Sequence, residues 1–193
     1  MFNVVADLTT AICALAMLAA IAFNFIDARG ARAFRERRSP VATASMTGFF
    51  VALYLVIRLR ISAIDSDGLL PLRGAGLALM VFGTAFNIWG RIFLKQNWSD
   101  HVRVYSDQQL VTTGPYRIVR HPLYASLIWM FYGAALAYLN PLAALGNTLV
   151  FIPAMIYRSN LEEQALGATF GGAYAAYRKR TGRFFPKPGR RAE

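Results

Sequence analysis

The chain has 193 residues, of which 56% are hydrophobic and only 16% charged, and its mean hydropathy is +0.37. Soluble domains usually carry about 25% charged residues, so this composition excludes a disordered chain and disfavours a soluble globule. Twenty-one Lys and Arg against ten Asp and Glu give a net charge of +11, and the single cysteine, Cys13, excludes a disulfide framework and a thiolate metal cluster.

Five apolar runs have about the length a bilayer-crossing helix needs, roughly 17–25 residues. Val4–Ile26 is interrupted only by Asp7 and Asn24, and Val41–Ile57 continues to Ile64 past Arg58 and Arg60. Gly74–Phe93 carries Asn87 and Arg91, whereas Pro122–Leu139 and Pro141–Tyr157 are nearly charge-free and separated by Asn140 alone, which predicts a tight helical hairpin. The start lacks the basic residues and cleavage site of a signal peptide, so the first run is expected to persist as a helix. Eighteen basic residues lie in the segments after the first, third and fifth runs, against Arg58, Arg60 and Arg73 on the other side. By the positive-inside rule this predicts an integral membrane protein with its N-terminus outside and the later polar segments in the cytoplasm. Topology and anionic headgroups then account for the excess charge, and no nucleic-acid partner is called for.

Two of those polar segments hold most of the chemistry. The first contains Asn97-Trp98-Ser99-Asp100-His101, then Leu110 to Tyr116, then Val119-Arg120-His121-Pro122-Leu123-Tyr124. Pro122 suits the first turn of a helix, which puts Arg120 and His121 at an N-terminus that favours an anion. Alternative readings are a capping His121, an Arg120 bound to lipid phosphate, and Trp98 and Tyr116 as interfacial aromatics. In the second segment Arg158 and Glu162 are four apart and share a helix face. Glu162, Leu166, Phe170 and Tyr174 continue one stripe of an amphipathic helix, on which Glu163, turned about 100° away, is expected to be solvated. A carboxylate at the end of a membrane helix suggests function, the alternative being a plain Arg158–Glu162 ion pair. Gly167, Gly171 and Gly172 fall inside a helical stretch and form no phosphate loop, and neither HExxH nor a Cys/His metal spacing occurs.

The run from Trp98 to Tyr124, with LVTTGPY and RHPLY, resembles the isoprenylcysteine carboxyl methyltransferase family. Gly133, Leu139-Asn140-Pro141, Glu162-Glu163, Phe170-Gly171, Tyr174, Tyr177 and Pro186 extend the likeness, which covers about half the chain. The resemblance implies a membrane methyltransferase that uses S-adenosylmethionine in a cytoplasm-facing pocket and needs no metal. It implies cofactor contacts at Gln108, Gln109, Leu110, Val111, Tyr116, His121, Pro122, Leu123, Tyr124 and Glu162, with His101 at the edge, and an acceptor-orienting role for Arg158. Gln108 stands where that family usually has His. The expected architecture is an all-α polytopic transmembrane bundle of about five crossings, in which a cytoplasmic loop and a C-terminal amphipathic helix cap the cofactor pocket. Within one membrane domain, 1–193, residues 1–89 form a three-helix scaffold, 90–186 the catalytic region and 187–193 a basic tail. The expected activity is carboxyl O-methylation of an isoprenylcysteine-like or other lipophilic anionic acceptor, in a compact, prokaryotic-sized membrane protein. Phospholipid amine N-methylation, thiol S-methylation and a non-enzymatic scaffold or transporter are the alternatives.

Overall fold

The computed structural model describes residues 2–31, 40–59, 61–64, 67–94 and 109–187. Their helices are α1 (Phe2–Ala31), α2 (Pro40–Arg58), α3 (Leu70–Leu94), α4 (Pro122–Ala137), α5 (Pro141–Gly146) and α6 (Ile152–Arg180). The described residues contain no β-strand, and the expected all-α membrane fold is the observed one. Three segments, Phe2–Phe23, Leu70–Leu94 and Pro141–Arg180, are long and apolar enough to cross a membrane. At 16 residues α4 reaches about 24 Å, short of a hydrocarbon core of roughly 30 Å. The fifth apolar run does not end at Tyr157. Helix α5, a π turn at Asn147–Phe151 and α6 follow one another without a loop, so the apolar run and the polar helix after it are continuous up to a kink at Gly171.

Glycines set how closely α3 and α4 approach. A Cβ at Gly133 would lie 2.7 Å from the Gly76 carbonyl oxygen and 2.7 Å from the Met80 nitrogen, so the two backbones meet directly. Small residues at such crossings are what membrane helices use in place of a hydrophobic driving force. Between α2, α4 and the π turn, the Phe49 and Phe151 rings stack at 4.9 Å and Phe131 stands edge-on to Phe151 at 4.6 Å. Val4, Leu8, Ile12, Leu15 and Leu18 on α1 are exposed, as expected of a lipid-facing stripe.

Several polar side chains near the α4–α5 turn are paired, as a bilayer demands. Tyr138 donates to Asp7 at 2.8 Å, which satisfies the one carboxylate of the first run, and Arg73 donates to the Ala137 carbonyl at 3.0 Å. Asn140, the lone break between the last two runs, caps α5 by accepting from the Ala143 N–H. Its amide donates to the Ile61 carbonyl at 2.9 Å, tying the α4–α5 turn to the end of α2.

Candidate functional site

At the opposite end of the bundle, where α3 ends and α4 begins, residues 109–121 lie against the C-terminal part of the chain. Gly114 takes φ +58°, and a Cβ there would strike the Phe93 ring at 2.5 Å, so the turn requires glycine on both counts. The following 3-10 turn, Gly114–Arg117, buries Tyr116, whose carbonyl accepts from the Tyr177 hydroxyl at 2.7 Å. Tyr116 is therefore no interfacial aromatic, and burial pushes its phenol well above the ordinary range. Val119 pairs with Gly182 in an isolated parallel bridge, and the Arg120 and His121 N–H groups donate to the Gly182 and Arg183 carbonyls. Pro122 follows at the first position of α4, where a missing N–H costs nothing.

From this frame α4 and α6 bring four of the sequence-predicted residues together. The Tyr124 hydroxyl donates to Glu162 Oε1 and accepts from Arg158 Nε at 3.4 Å, so it stands between the two residues that share the α6 face. The Arg158 guanidinium also lies 6.0 Å from the Tyr124 ring centre. His121 stacks on Tyr124 with ring centroids 5.7 Å apart, and its Nδ1 is 3.3 Å from Glu162 Oε2. The Glu162 side chain remains 28% exposed, which leaves room for a ligand donor at its oxygens.

Glu163 is not the solvated neighbour expected from its helix angle. Its side chain is 5% exposed and faces His121 Nε2 at 3.2 Å, Arg120 at 3.1 Å, Arg178 at 3.4 Å and Arg183 at 3.3 Å. Arg120 accordingly serves an internal carboxylate rather than a lipid phosphate, and it also donates to the Arg178 and Thr181 carbonyls. His121 sits between both glutamates. Burial pushes its pKa down, but hydrogen bonds to Glu162 and Glu163 outweigh that and raise it above the ordinary value of 6.5, which favours the imidazolium, the form able to donate from both nitrogens.

The remaining predicted positions are placed less closely. Gln109 is exposed and Leu110 and Val111 are half-buried on the irregular backbone before Gly114. Pro122 is buried, and half-buried Leu123 accepts from Asn87 Nδ2 at 3.2 Å through its carbonyl. Gln108, His101 and Trp98 lie outside the described residues. Sequence reasoning missed Glu163, Arg178 and Arg183 as one cluster. The available signal was a second carboxylate next to Glu162, in a segment so rich in arginine that a lone solvated charge was improbable. It also noted Asn87 and Arg91 only as interruptions of an apolar run, although i,i+4 spacing places them on one face.

Comparison with known proteins gives a consistent result. A rice (Oryza sativa subsp. indica) protein named "Probable protein-S-isoprenylcysteine O-methyltransferase" is 30% identical over 104 residues, covering 53% of this chain and 54% of that protein. The Saccharomyces cerevisiae protein-S-isoprenylcysteine O-methyltransferase is 31% identical over 114 residues, covering 59% and 45%. The chain thus spans about half the length of these relatives. The solved structure of a eukaryotic intramembrane Ras methyltransferase (isoprenylcysteine carboxyl methyltransferase) superposes with a TM-score of 0.58 at 24% identity, over 79% of this chain and 55% of that one, a likeness of fold. The sequence profile described as phospholipid methyltransferase matches residues 72–173, from the start of α3 to just past the α6 kink, which is more than half of the chain. By that match, the chain belongs to the phospholipid methyltransferase family.

Proposed function

We propose that the protein is an integral membrane methyltransferase that takes its methyl group from S-adenosylmethionine and transfers it to the carboxylate of a lipophilic, prenylcysteine-like acceptor. The observation that carries this reading is the single hydrogen-bonded cluster of Arg158, Tyr124, Glu162 and His121 at one end of a membrane bundle. Residues 90–186 perform the reaction on a scaffold made by 1–89, in one membrane domain. The charge asymmetry supports a cytoplasmic site with the N-terminus outside.

The residues present fit such a cofactor. Glu162, half-shielded and aligned by Tyr124 and His121, offers carboxylate oxygens to an ammonium group, and Tyr116 and Tyr124 supply aromatic surface. When bound, S-adenosylmethionine supplies an electrophilic methyl on a sulfonium. Arg158 orients the acceptor carboxylate for in-line attack, and Tyr124 fixes the Arg158 and Glu162 side chains relative to each other. A carboxylate is already ionised at neutral pH, so no general base is required, and positioning and electrostatics provide the rate. An amine acceptor would need a base to take its proton, and as a cation it would be repelled by Arg158, which disfavours it.

Labelled-methyl transfer from S-adenosylmethionine to prenylcysteine, phosphatidylethanolamine and small-thiol acceptors tests the reading, with turnover expected on prenylcysteine. Glu162→Ala should weaken cofactor affinity by roughly 10-fold or more, the worth of a charge-assisted hydrogen bond. Arg158→Ala should preserve that affinity and lower kcat/KM by on the order of 100-fold. Transfer to phosphatidylethanolamine alone would replace the acceptor assignment, and unaltered cofactor affinity in Glu162→Ala would remove Glu162 from the site.

A further inference from the structure

The α3–α4 contact contains a buried hydrogen-bond chain with one open end. Ser126 Oγ donates to the Leu123 carbonyl at 2.8 Å and lies 2.7 Å from Asn87 Nδ2, which also reaches the same carbonyl at 3.2 Å. With its amide nitrogen engaged there, Asn87 turns its oxygen to Arg91 and accepts from Nε at 2.8 Å. Asn87 and Ser126 are fully buried, so the chain has one geometry and sets the plane of the guanidinium. Arg91 Nη1 is shielded from solvent and has no hydrogen-bond partner among the described residues. Leaving a buried donor unmade is costly, and most of all for a charged group. An arginine held this firmly at one nitrogen and unsatisfied at another is arranged for an acceptor that the described residues do not supply.

Its neighbours say where that acceptor belongs. Gly90 lies against Leu123, since a Cβ there would come 3.0 Å from Leu123 Cδ2, and Phe93 covers Gly114. The last turn of α3 therefore lies against the segment running from Gly114 to Leu123. Leu123, against which Gly90 lies, immediately precedes Tyr124, whose hydroxyl donates to Glu162, and buried Tyr116 belongs to the same segment. Arg158 is on a different helix, α6, beside Tyr124.

Resting on the methyl-donor reading above, we infer that Arg91 binds the α-carboxylate of the donor's amino-acid moiety, while Glu162 takes its ammonium group. The two side chains then read the zwitterionic end of the cofactor with opposite charges. Ligands that carry the ammonium group without the carboxylate are discriminated against at Arg91. The shared chemistry is a carboxylate, and the acceptor also has one, so the test must tell the two sources apart.

Calorimetry on the purified full chain in detergent, with S-adenosylmethionine and its decarboxylated analogue, provides that test. The unmodified protein should bind the decarboxylated ligand roughly 10- to 100-fold more weakly. Arg91→Gln should weaken S-adenosylmethionine by a similar factor, leave the decarboxylated ligand nearly unaffected and so abolish the preference, and Arg91→Lys should restore part of it. Equal losses on both ligands would mean that Arg91 only supports the fold, and equal affinities in the unmodified protein would likewise refute the inference. Unchanged donor affinity with a raised KM for a prenylcysteine carboxylate would assign Arg91 to the acceptor instead. Should Arg91→Gln not fold, the discrimination of the unmodified protein and of Arg91→Lys decides the matter. Absence of binding by either ligand to the unmodified protein would sink the methyl-donor reading itself, an outcome distinct from loss of the preference alone.

Discussion

His121 carries an imidazole ring with Glu162 on one nitrogen, Glu163 on the other, Tyr124 stacked on its face and Phe184 at its edge. Since its folded-state pKa lies above the unfolded value, the imidazolium stabilises the fold fully below about pH 6.5 and stops doing so as pH rises through the folded-state value. Thermal unfolding in detergent should therefore show a Tm that declines from neutral to alkaline pH, and His121→Gln should start lower and flatten this decline. An unchanged slope in the variant would show that the ring is neutral throughout. The neighbouring glutamates illustrate how far residue-level reading reaches. Position on a helical wheel correctly set Glu162 and Glu163 about 100° apart, yet exposure depended on what each direction met. Glu162 met Tyr124, and Glu163 met four cations from the α4 entry, α6 and the segment after it.

Among the elements, α3 and α4 depend on backbone contact, which limits the side chains their crossing accepts. A methyl group at Gly133 would press on Gly76 and Met80 main-chain atoms, which cannot rotate away. Gly133→Ala is expected to lower stability by about 1–3 kcal/mol, the usual cost of overpacking. Gly48→Ala, on α2 with open space around it, should be neutral or slightly stabilising through helix propensity. Chemical or thermal denaturation of the two variants side by side makes the comparison. Helix α6 shows the complementary case. Its polar, aromatic character was legible in the spacing of Leu166, Phe170, Tyr174 and Tyr177. Its kink at Gly171, with φ 49° and ψ −119°, was not, because glycine inside a helix pattern is compatible with a straight helix as well as a break. That bend comes just before Tyr174, Tyr177 and Arg178, which face the Tyr116 turn and Glu163.

For the molecule as a whole, the proposed orientation rests on charge, and it predicts which loops meet which solvent. Gly68 precedes α3 and Arg117 precedes α4, so the two lie at opposite ends of the bundle, and both are exposed. With Cys13 replaced by alanine, a membrane-impermeant maleimide should label Gly68→Cys in intact cells and Arg117→Cys only after the membrane is opened. The opposite pattern would invert the proposed topology, and labelling of both from one side would show that α3 does not cross.

The amino-acid sequence by itself determined the membrane class, the approximate extent of the apolar helices, the Asn140 break and the family likeness of the segments around Tyr124 and Glu162. These are local properties, since hydropathy, turn chemistry and motif spacing can be read from neighbouring residues. The 16-residue length of α4, the merger of the last apolar run with the polar helix, the burial of Glu163 and the open-ended Ser126–Asn87–Arg91 chain were decided only by the tertiary structure. Each depends on how one helix is rotated and set against another, and hydrogen-bond partners some forty positions apart along the chain are chosen by that registration.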